Sequence, residues 1–314
     1  HQFYPIDHFI FTNKFLNYWK PNISIFIESE IWPCMFKNLN NKKTPLILLN
    51  TRLTKKTFKK WMRIKDFTKS IFNNITKAYP QNLETLAFLK KINSTKIDLI
   101  GNLKFIESHS ENFTKLNSNL KSELKKKNVW VASSTHKTEE TFCATAHTIL
   151  KKRIQNLITV IIPRHVHRGR EIANELKNMN LKYAFHSKRP NNLNCLDIYI
   201  VDTFGETKKF HNIGSSVFLG GSIIKRGGQN PLEAARSGAK ILHGPNTDNF
   251  KDIYKLLKSL NISKKIYTPE QLAKSIIFKK NKHKGNKIKN IGEKILKKTI
   301  KELDSVIKNE FKKT

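Results

Sequence analysis

The run Gly227-Gly228-Gln229-Asn230-Pro231-Leu232-Glu233 combines the residue types that a nucleotide site needs. Its two glycines let backbone approach a ligand closely. Asn230 suits the N-cap of a helix and Pro231 its first position. A helix start turns free N–H groups and a positive dipole end toward a phosphate. Glu233, in the first turn, can accept hydrogen bonds from a ribose diol. The same residues also describe a plain capped helix with a dipole-matched glutamate, and the motif alone leaves both readings open.

Other short motifs carry similar chemistry. In Asp202-Thr203-Phe204-Gly205-Glu206, Gly205 permits close approach of backbone N–H groups to a base or phosphate; an ordinary strand-to-helix turn looks the same. Arg164, in Pro163-Arg164-His165, can neutralise a phosphate or a sugar carboxylate. Ser133-Ser134-Thr135-His136 offers hydroxyls to a sugar, or a cap to the next helix through Thr135 or Thr138. In the first half, Glu28-Ser29-Glu30-Ile31-Trp32-Pro33 sets the carboxylates of Glu28 and Glu30 beside an indole. Arg52 in Asn50-Thr51-Arg52-Leu53 and Lys104 in Gly101-Asn102-Leu103-Lys104-Phe105 are single cations whose roles their own motifs do not define.

Each motif follows a short apolar run. These runs are Ile23–Ile27, Leu46–Leu49, Ile97–Ile100, Val129–Ala132, Leu157–Ile162, Ile198–Val201, Ser216–Leu219 and Ile241–Leu242. Runs this short and continuous predict parallel strands buried on both faces. Helix-length amphipathic segments lie between them, as at Thr138–Lys152 and Arg170–Asn178. Strand alternating with helix predicts a doubly wound α/β architecture, in which ligands bind at the carboxyl ends of the strands. The polar stretch from Phe105 to Asn128 reads as a linker. The basic tail from Lys279 keeps an apolar rhythm at Ile288, Ile291, Ile295, Ile300, Leu303 and Ile307, which predicts a helix packed on a domain.

The 314 residues carry a formal charge of +35. Such a charge favours an acidic partner: a nucleic acid, an anionic membrane surface or a phosphorylated lipid. An excess of Lys, Asn and Ile also arises from AT-rich coding, so charge alone does not choose. No nucleic-acid-binding module or basic stripe with interleaved aromatics is present, and no nucleic-acid partner is expected. Cys34, Cys143 and Cys195 have neither metal-ligand nor disulfide spacing, which points to a reducing compartment and no metal site. No stretch approaches the roughly 20 apolar residues of a membrane span.

In this order, ESEIWP, NTRL, GNLKF, SSTH, PRH, DTFGE and GGQNPLE, with Gly244-Pro245 and Asn249-Phe250 after them, resemble the transferases of 3-deoxy-D-manno-octulosonic acid (Kdo) in lipopolysaccharide synthesis. The family patterns read approximately ETELWP, NARLS, GNLKF, STHEGEE, PRH, DTMGEL and GGHNPLE, and the resemblance runs from about Tyr4 to Ile253. It implies a GT-B fold, two Rossmann-like domains facing a cleft. Residues 1–110 would be part of the acceptor domain, 111–128 a linker, and 129–314 the CMP-Kdo-binding domain with its helical tail. It further implies an inverting, metal-independent transfer of Kdo from CMP-Kdo to a lipid A precursor at the cytoplasmic face of a bacterial inner membrane, with no cofactor beyond the donor.

Carried over residue by residue, Pro163, Arg164, Phe204, Gly205, Glu206, Asn230, Pro231, Leu232 and Glu233 would contact the donor. Glu28 and Lys104 match positions credited with stabilising the transition state, where a fixed charge acts strongly. Glu30, Arg52, Ser134, Thr135, His136, Gly227 and Gly228 would support them. The sequence departs from the family at Phe204 (usually Met), Thr207 (usually Leu) and Gln229 (usually His). The family's general base is a glutamate in an SVGE-like segment upstream of ESEIWP, and the usual amino-terminal anchor lies there too. Neither occurs in these residues, so the expectation is a chain that binds nucleotide and transfers sugar poorly or not at all. A UDP-sugar GT-B enzyme, a basic nucleic-acid binder and an inactive membrane scaffold are the competing readings.

Overall fold

Leu46–Thr51 is buried along its whole length and becomes the middle strand of a three-stranded parallel sheet. The computed structural model describes residues 2–92, 96–106, 116–190 and 192–311. In chain order the strands are β1 (Ser24–Ile27), β2 (Leu46–Thr51), β3 (Lys77–Pro80), β4 (Asn128–Thr135), β5 (Leu157–Pro163), β6 (Tyr183–Phe185), β7 (Ile198–Ile200), β8 (Ser216–Leu219), β9 (Lys240–His243) and β10 (Ser263–Lys265). They form two parallel sheets, one ordered β1-β2-β3 and the other β10-β9-β8-β4-β5-β7-β6. The chain divides into two compact units: His1–Ile106 with Ile291–Thr314, and Glu107–Asn290.

In the first unit, the helices Phe9–Trp19, Pro33–Asn41 and Lys65–Phe72 bury Leu16, Met35, Phe36, Leu39, Ile71 and Phe72 against Leu46, Leu48 and Ala78. In the second, the helices Glu139–Lys151 and Gly169–Asn178 cover one face of the sheet, and the core gathers Trp130, Ile161, Ile198, Phe218 and Leu242.

Several expectations change. β1 is not buried on both faces: it is an edge strand, and Ile25 and Ile27 are exposed. Ile97–Ile100 forms only an isolated bridge, Ala78 to Ile97. The segment ends at Gly101, whose positive φ turns the chain away. β10 (Ser-Lys-Lys) holds no apolar residue, and β3 (Lys-Ala-Tyr-Pro) and β6 (Tyr-Ala-Phe) hold no Val, Ile or Leu, so none registers as an aliphatic run. Residues 111–115 of the expected linker lie outside the described residues. Beyond them Ser118–Lys125 is a helix that buries Leu124, so that stretch is not featureless.

The tail is helical over Lys282–Phe311, as its rhythm predicted. Its part from Ile291 belongs to the first unit, however, and not to a domain running 129–314. The reason is local packing: Ile295 fills the space over Gly101, Lys298 Nζ donates to Leu99 O (2.9 Å), and Leu303 and Val306 pack on Ile47, Leu49, Tyr79 and Ile100. Ile300, counted in the apolar rhythm, is half exposed.

A buried polar group fastens β7 to the helix Glu139–Lys151. Asp197 accepts hydrogen bonds from the Lys182 amide (2.9 Å) and Lys151 Nζ (2.5 Å), and His147 Nε2 lies 3.3 Å away, with His147 Nδ1 2.8 Å from Thr159 Oγ1. Burial pushes the Asp197 carboxyl up, but these donors outweigh burial and hold it well below the usual carboxylate range. A depressed carboxyl stabilises the fold above its unfolded value of about 4, and the stabilisation fades as pH falls toward the folded value. Asp197→Asn is therefore expected to lower the unfolding free energy by about 2–3 kcal/mol at pH 7. In urea melts run from pH 7 to pH 3, its gap to the wild type should narrow below about pH 4.

Candidate functional site

In the first unit the carboxyl ends of β1 and β2 bring two predicted residues into contact. Lys104 Nζ lies 3.1 Å from Glu28 Oε1. Glu28 has a left-handed backbone (φ 63°), an unfavourable conformation for a side-chain-bearing residue. It is held there from both sides: Glu28 N–H donates to Leu49 O (3.0 Å) and Arg52 N–H donates to Glu28 O (3.1 Å). Arg52 contributes through its backbone, which also accepts from Ser29 Oγ (3.0 Å). Glu30 turns to the Trp32 indole N–H (2.8 Å) and stands outside the Glu28–Lys104 pair. Asn50 was not singled out from the sequence. It sits at a register shift in β2 with φ 53°, and its Oδ1 accepts from Leu103 N–H (3.0 Å), tying the GNLKF turn to the sheet.

In the second unit the site loops hang on Glu139. Its carboxylate is buried and accepts four backbone N–H groups: His136 (3.0 Å) and Gly221 (2.7 Å) at Oε2, Ser222 (3.0 Å) and Ile223 (2.9 Å) at Oε1. The cap expected from Thr138 is not made; Thr138 has no capping side-chain bond, and Glu139 itself takes the His136 amide. The loop after β8 then approaches β4 so closely that a Cβ on Gly220 would lie 2.3 Å from Ser134 O. Ser134, at a register shift in β4, has φ 55°, and Thr135 beside it is buried.

Around Gly221 gather the His136 ring, Gln229 and Arg226, each within 3.4 Å of where a Cβ would sit. His165 stacks edge-on to His136 at 5.9 Å. Arg164, just beyond the buried end of β5, is exposed, and its N–H is fixed by Thr135 O (2.9 Å). Burial pushes the His136 ring below its ordinary value, with His165, Arg226 and Arg164 adding to the effect against Glu139. Its Nε2 is buried without a hydrogen-bond partner among the described residues. The exposed Arg164 and Arg226 beside this ring are suited to a phosphate.

Gly227 and Gly228 both have positive φ, and a Cβ on Gly227 would collide with the Asn249 amide at 2.4 Å. This is why the loop needs glycine there. Asn230 Oδ1 accepts from Leu232 N–H (3.1 Å), but the N-cap position falls on Pro231, one residue later than expected. The helix itself is only Leu232–Arg236, with Pro231 at its start. Glu233 Oε1 lies 3.3 Å from His211 Nδ1, and His211 Nε2 lies 3.0 Å from Ser133 Oγ. The third motif group leads directly into the helix Thr207–His211, which packs on the helix Leu232–Arg236. Phe204 is 81% exposed, and Gly205 faces open space. Glu206 pairs with Lys209 (2.9 Å) beside a cavity of about 500 Å³ that His186, Arg189 and Tyr199 also line.

The two parallel α/β units, with their candidate residues at the carboxyl ends of the strands, define a GT-B-like fold. A crystal structure of a putative UDP-N-acetylglucosamine 2-epimerase from Listeria monocytogenes superposes with a TM-score of 0.60 at 12% identity, covering 96% of this chain and 78% of that one. Residues 1–107 match the family model described as 3-deoxy-D-manno-octulosonic-acid transferase (kdotransferase). The 3-deoxy-D-manno-octulosonic acid transferase of Rickettsia bellii is 34% identical over 303 residues, 95% of this chain and 71% of that protein. That of Rickettsia typhi is 37% identical over 300 residues, 95% of this chain but 64% of its own length, so the chain spans less than two thirds of that relative. The chain belongs to the 3-deoxy-D-manno-octulosonic acid transferase family.

Glu139 is the residue on which the second unit's site geometry depends. Glu139→Ala would leave four amides without their acceptor and is expected to lower the unfolding free energy by about 3–5 kcal/mol, as read by urea denaturation. Glu139→Gln, which keeps one acceptor oxygen, should lose about half as much.

Proposed function

We propose that this chain carries the donor site, and part of the acceptor side, of an enzyme that transfers Kdo from CMP-Kdo to a lipid A precursor. The observation that carries the donor reading is the pairing of two exposed arginines beside the His136 ring, Arg164 and Arg226, with a glutamate, Glu233, on the helix that follows the double-glycine loop. The two arginines suit the phosphate of CMP. Burial pushes the Glu233 carboxyl up, but His211, Lys208 and Arg236 outweigh burial and hold it below its ordinary value, so it is an anionic acceptor for a ribose diol at neutral pH. Phe204, Gly205 and Glu206 complete the donor contacts in this reading.

The Glu28–Lys104 pair supports the acceptor half. A carboxylate and an ammonium locked together at a strand end are placed to stabilise charge that develops as an acceptor hydroxyl attacks the anomeric carbon and CMP leaves. In this reading transfer inverts the anomeric centre and uses no metal.

Calorimetry tests the donor reading directly. CMP should bind in preference to UMP and UDP, and Glu233→Ala should weaken CMP by about 10- to 100-fold through loss of its charged hydrogen bonds. A preference for UDP, or equal binding by the variant, would remove the reading.

The acceptor class also predicts where the chain works: at the cytoplasmic face of the inner membrane, against anionic lipid. No helix among the described residues is long and apolar enough to cross a membrane. The charge of +35 is suited to a surface contact, to which each nearby Lys or Arg contributes about 1 kcal/mol. In sedimentation with vesicles, binding should require anionic lipid and fall steeply with added salt; equal binding to neutral vesicles would count against it.

A further inference from the structure

We infer that His211 is a positioning residue for Glu233: it holds one carboxylate oxygen so that the other is presented to the vicinal diol of a bound ribonucleotide. The inference rests on the donor reading above and adds to it a residue that no motif contains.

Glu233 sits on a helix of five residues with its side chain 38% exposed. A glutamate so placed samples several rotamers, and fixing it from solution opposes binding by lost side-chain entropy. His211 removes that freedom. Its ring is buried, and Nδ1 lies 3.3 Å from Glu233 Oε1. Both atoms are buried, and His211 is the leading neighbour holding the carboxyl down, with Lys208 and Arg236 adding charge beside it. A carboxylate only accepts, so Nδ1 carries the proton in this contact.

The ring in turn is anchored. Nε2 lies 3.0 Å from Ser133 Oγ, and Ser133 is a fully buried residue of the central strand β4, clamped by β5 and β8. The His211 carbonyl accepts from Lys280 Nζ (2.8 Å), which fixes the end of the helix Thr207–His211. Rigid sheet thus holds the ring, and the ring holds Oε1, the buried oxygen of a carboxylate whose side chain is still 38% exposed.

The trio Ser133, His211 and Glu233 has the composition of a nucleophilic relay, but its direction is reversed. In a relay of that kind the serine is open and the carboxylate buried. Here Ser133 is wholly buried, and the carboxylate is the open end. The chain of contacts therefore orients Glu233 and does not activate Ser133.

Two nearly isosteric substitutions separate positioning from general packing. His211→Asn places an amide nitrogen close to where Nδ1 sits and keeps a donor toward Glu233. His211→Gln places one close to where Nε2 sits and keeps only the Ser133 contact. Calorimetry with CMP and 2′-deoxy-CMP reads the diol contact itself. The wild-type chain should prefer CMP about tenfold, His211→Asn should keep most of that preference, and His211→Gln should lose it while binding 2′-deoxy-CMP as the wild type does. In a Glu233→Ala background, His211→Gln should have no further effect on CMP.

A folded His211→Gln protein that keeps the wild-type preference overturns the inference. So does a folded Asn variant that loses as much as the Gln variant. Equal wild-type binding of the two nucleotides overturns the diol assignment and this inference while leaving a CMP site. No binding of either nucleotide overturns the donor reading itself.

Discussion

A buried carboxylate is costly unless hydrogen bonds replace the water it gives up. Glu139 meets that condition with four backbone amides drawn from two places: the turn after β4 and the loop after β8. The same loop reaches further, because Ser222 Oγ accepts from Gly244 N–H (2.8 Å) and its carbonyl accepts from the Asn246 N–H (2.9 Å). Glu139 therefore ties together the carboxyl ends of β4 and β8, and Ser222 extends the tie to β9. The positions of His136, Gly221, Arg226 and Gln229 follow from it. So does the close approach at Gly220, which leaves no room for a side chain.

The two units use a common device at different places. Each has a register shift near the carboxyl end of a central strand, with a non-glycine residue at positive φ: Asn50 in β2 and Ser134 in β4. A shift of this kind turns the strand's end and redirects the side chains after it. In the first unit it lets Asn50 hold the turn that carries Lys104 to Glu28. In the second it brings Thr135 O to the amide of Arg164. The strain at Glu28 belongs to the same pattern: its conformation persists because both of its backbone groups are bound.

The charge balance sharpens the meaning of the acidic residues. With 59 Lys and Arg against 24 Asp and Glu, nonspecific attraction is available everywhere, and a specific contact is one that burial and geometry single out. Glu139 serves amides, Asp197 fastens a helix to β7, and Glu140 meets the Arg168 guanidinium at 2.8 Å. Glu28, Glu206 and Glu233 are different. Each is partly exposed at a strand's carboxyl end and has a cation or a histidine beside it. That contrast separates acids used in the fold's interior from acids left partly exposed, which the proposed reading assigns to ligands.

The sequence by itself determined the architecture and the family. Continuous apolar runs such as Leu157–Ile162 and Ser216–Leu219 are legible because a strand buried on both faces needs no polar alternation, and the motifs at their ends keep their order along the chain. The Asn230 side-chain bond to Leu232 N–H and the positive-φ turn at Gly227 and Gly228 were legible too, because both are local; that Asn249 lies over Gly227 was not. The short strands β3, β6 and β10, the exposed face of β1 and the attachment of the tail from Ile291 were not. Each depends on which element lies alongside, and local composition does not encode that. Glu139, Asn50 and His211 remained hidden for the same reason. Glu139 reads as an ordinary first-turn acid until the loop after β8 arrives, and His211 reads as one more polar residue until Ser133 and Glu233 close on either side of it. Only tertiary structure decided these, since a hydrogen bond between residues as far apart as positions 133 and 211 exists only once the sheet has brought them together.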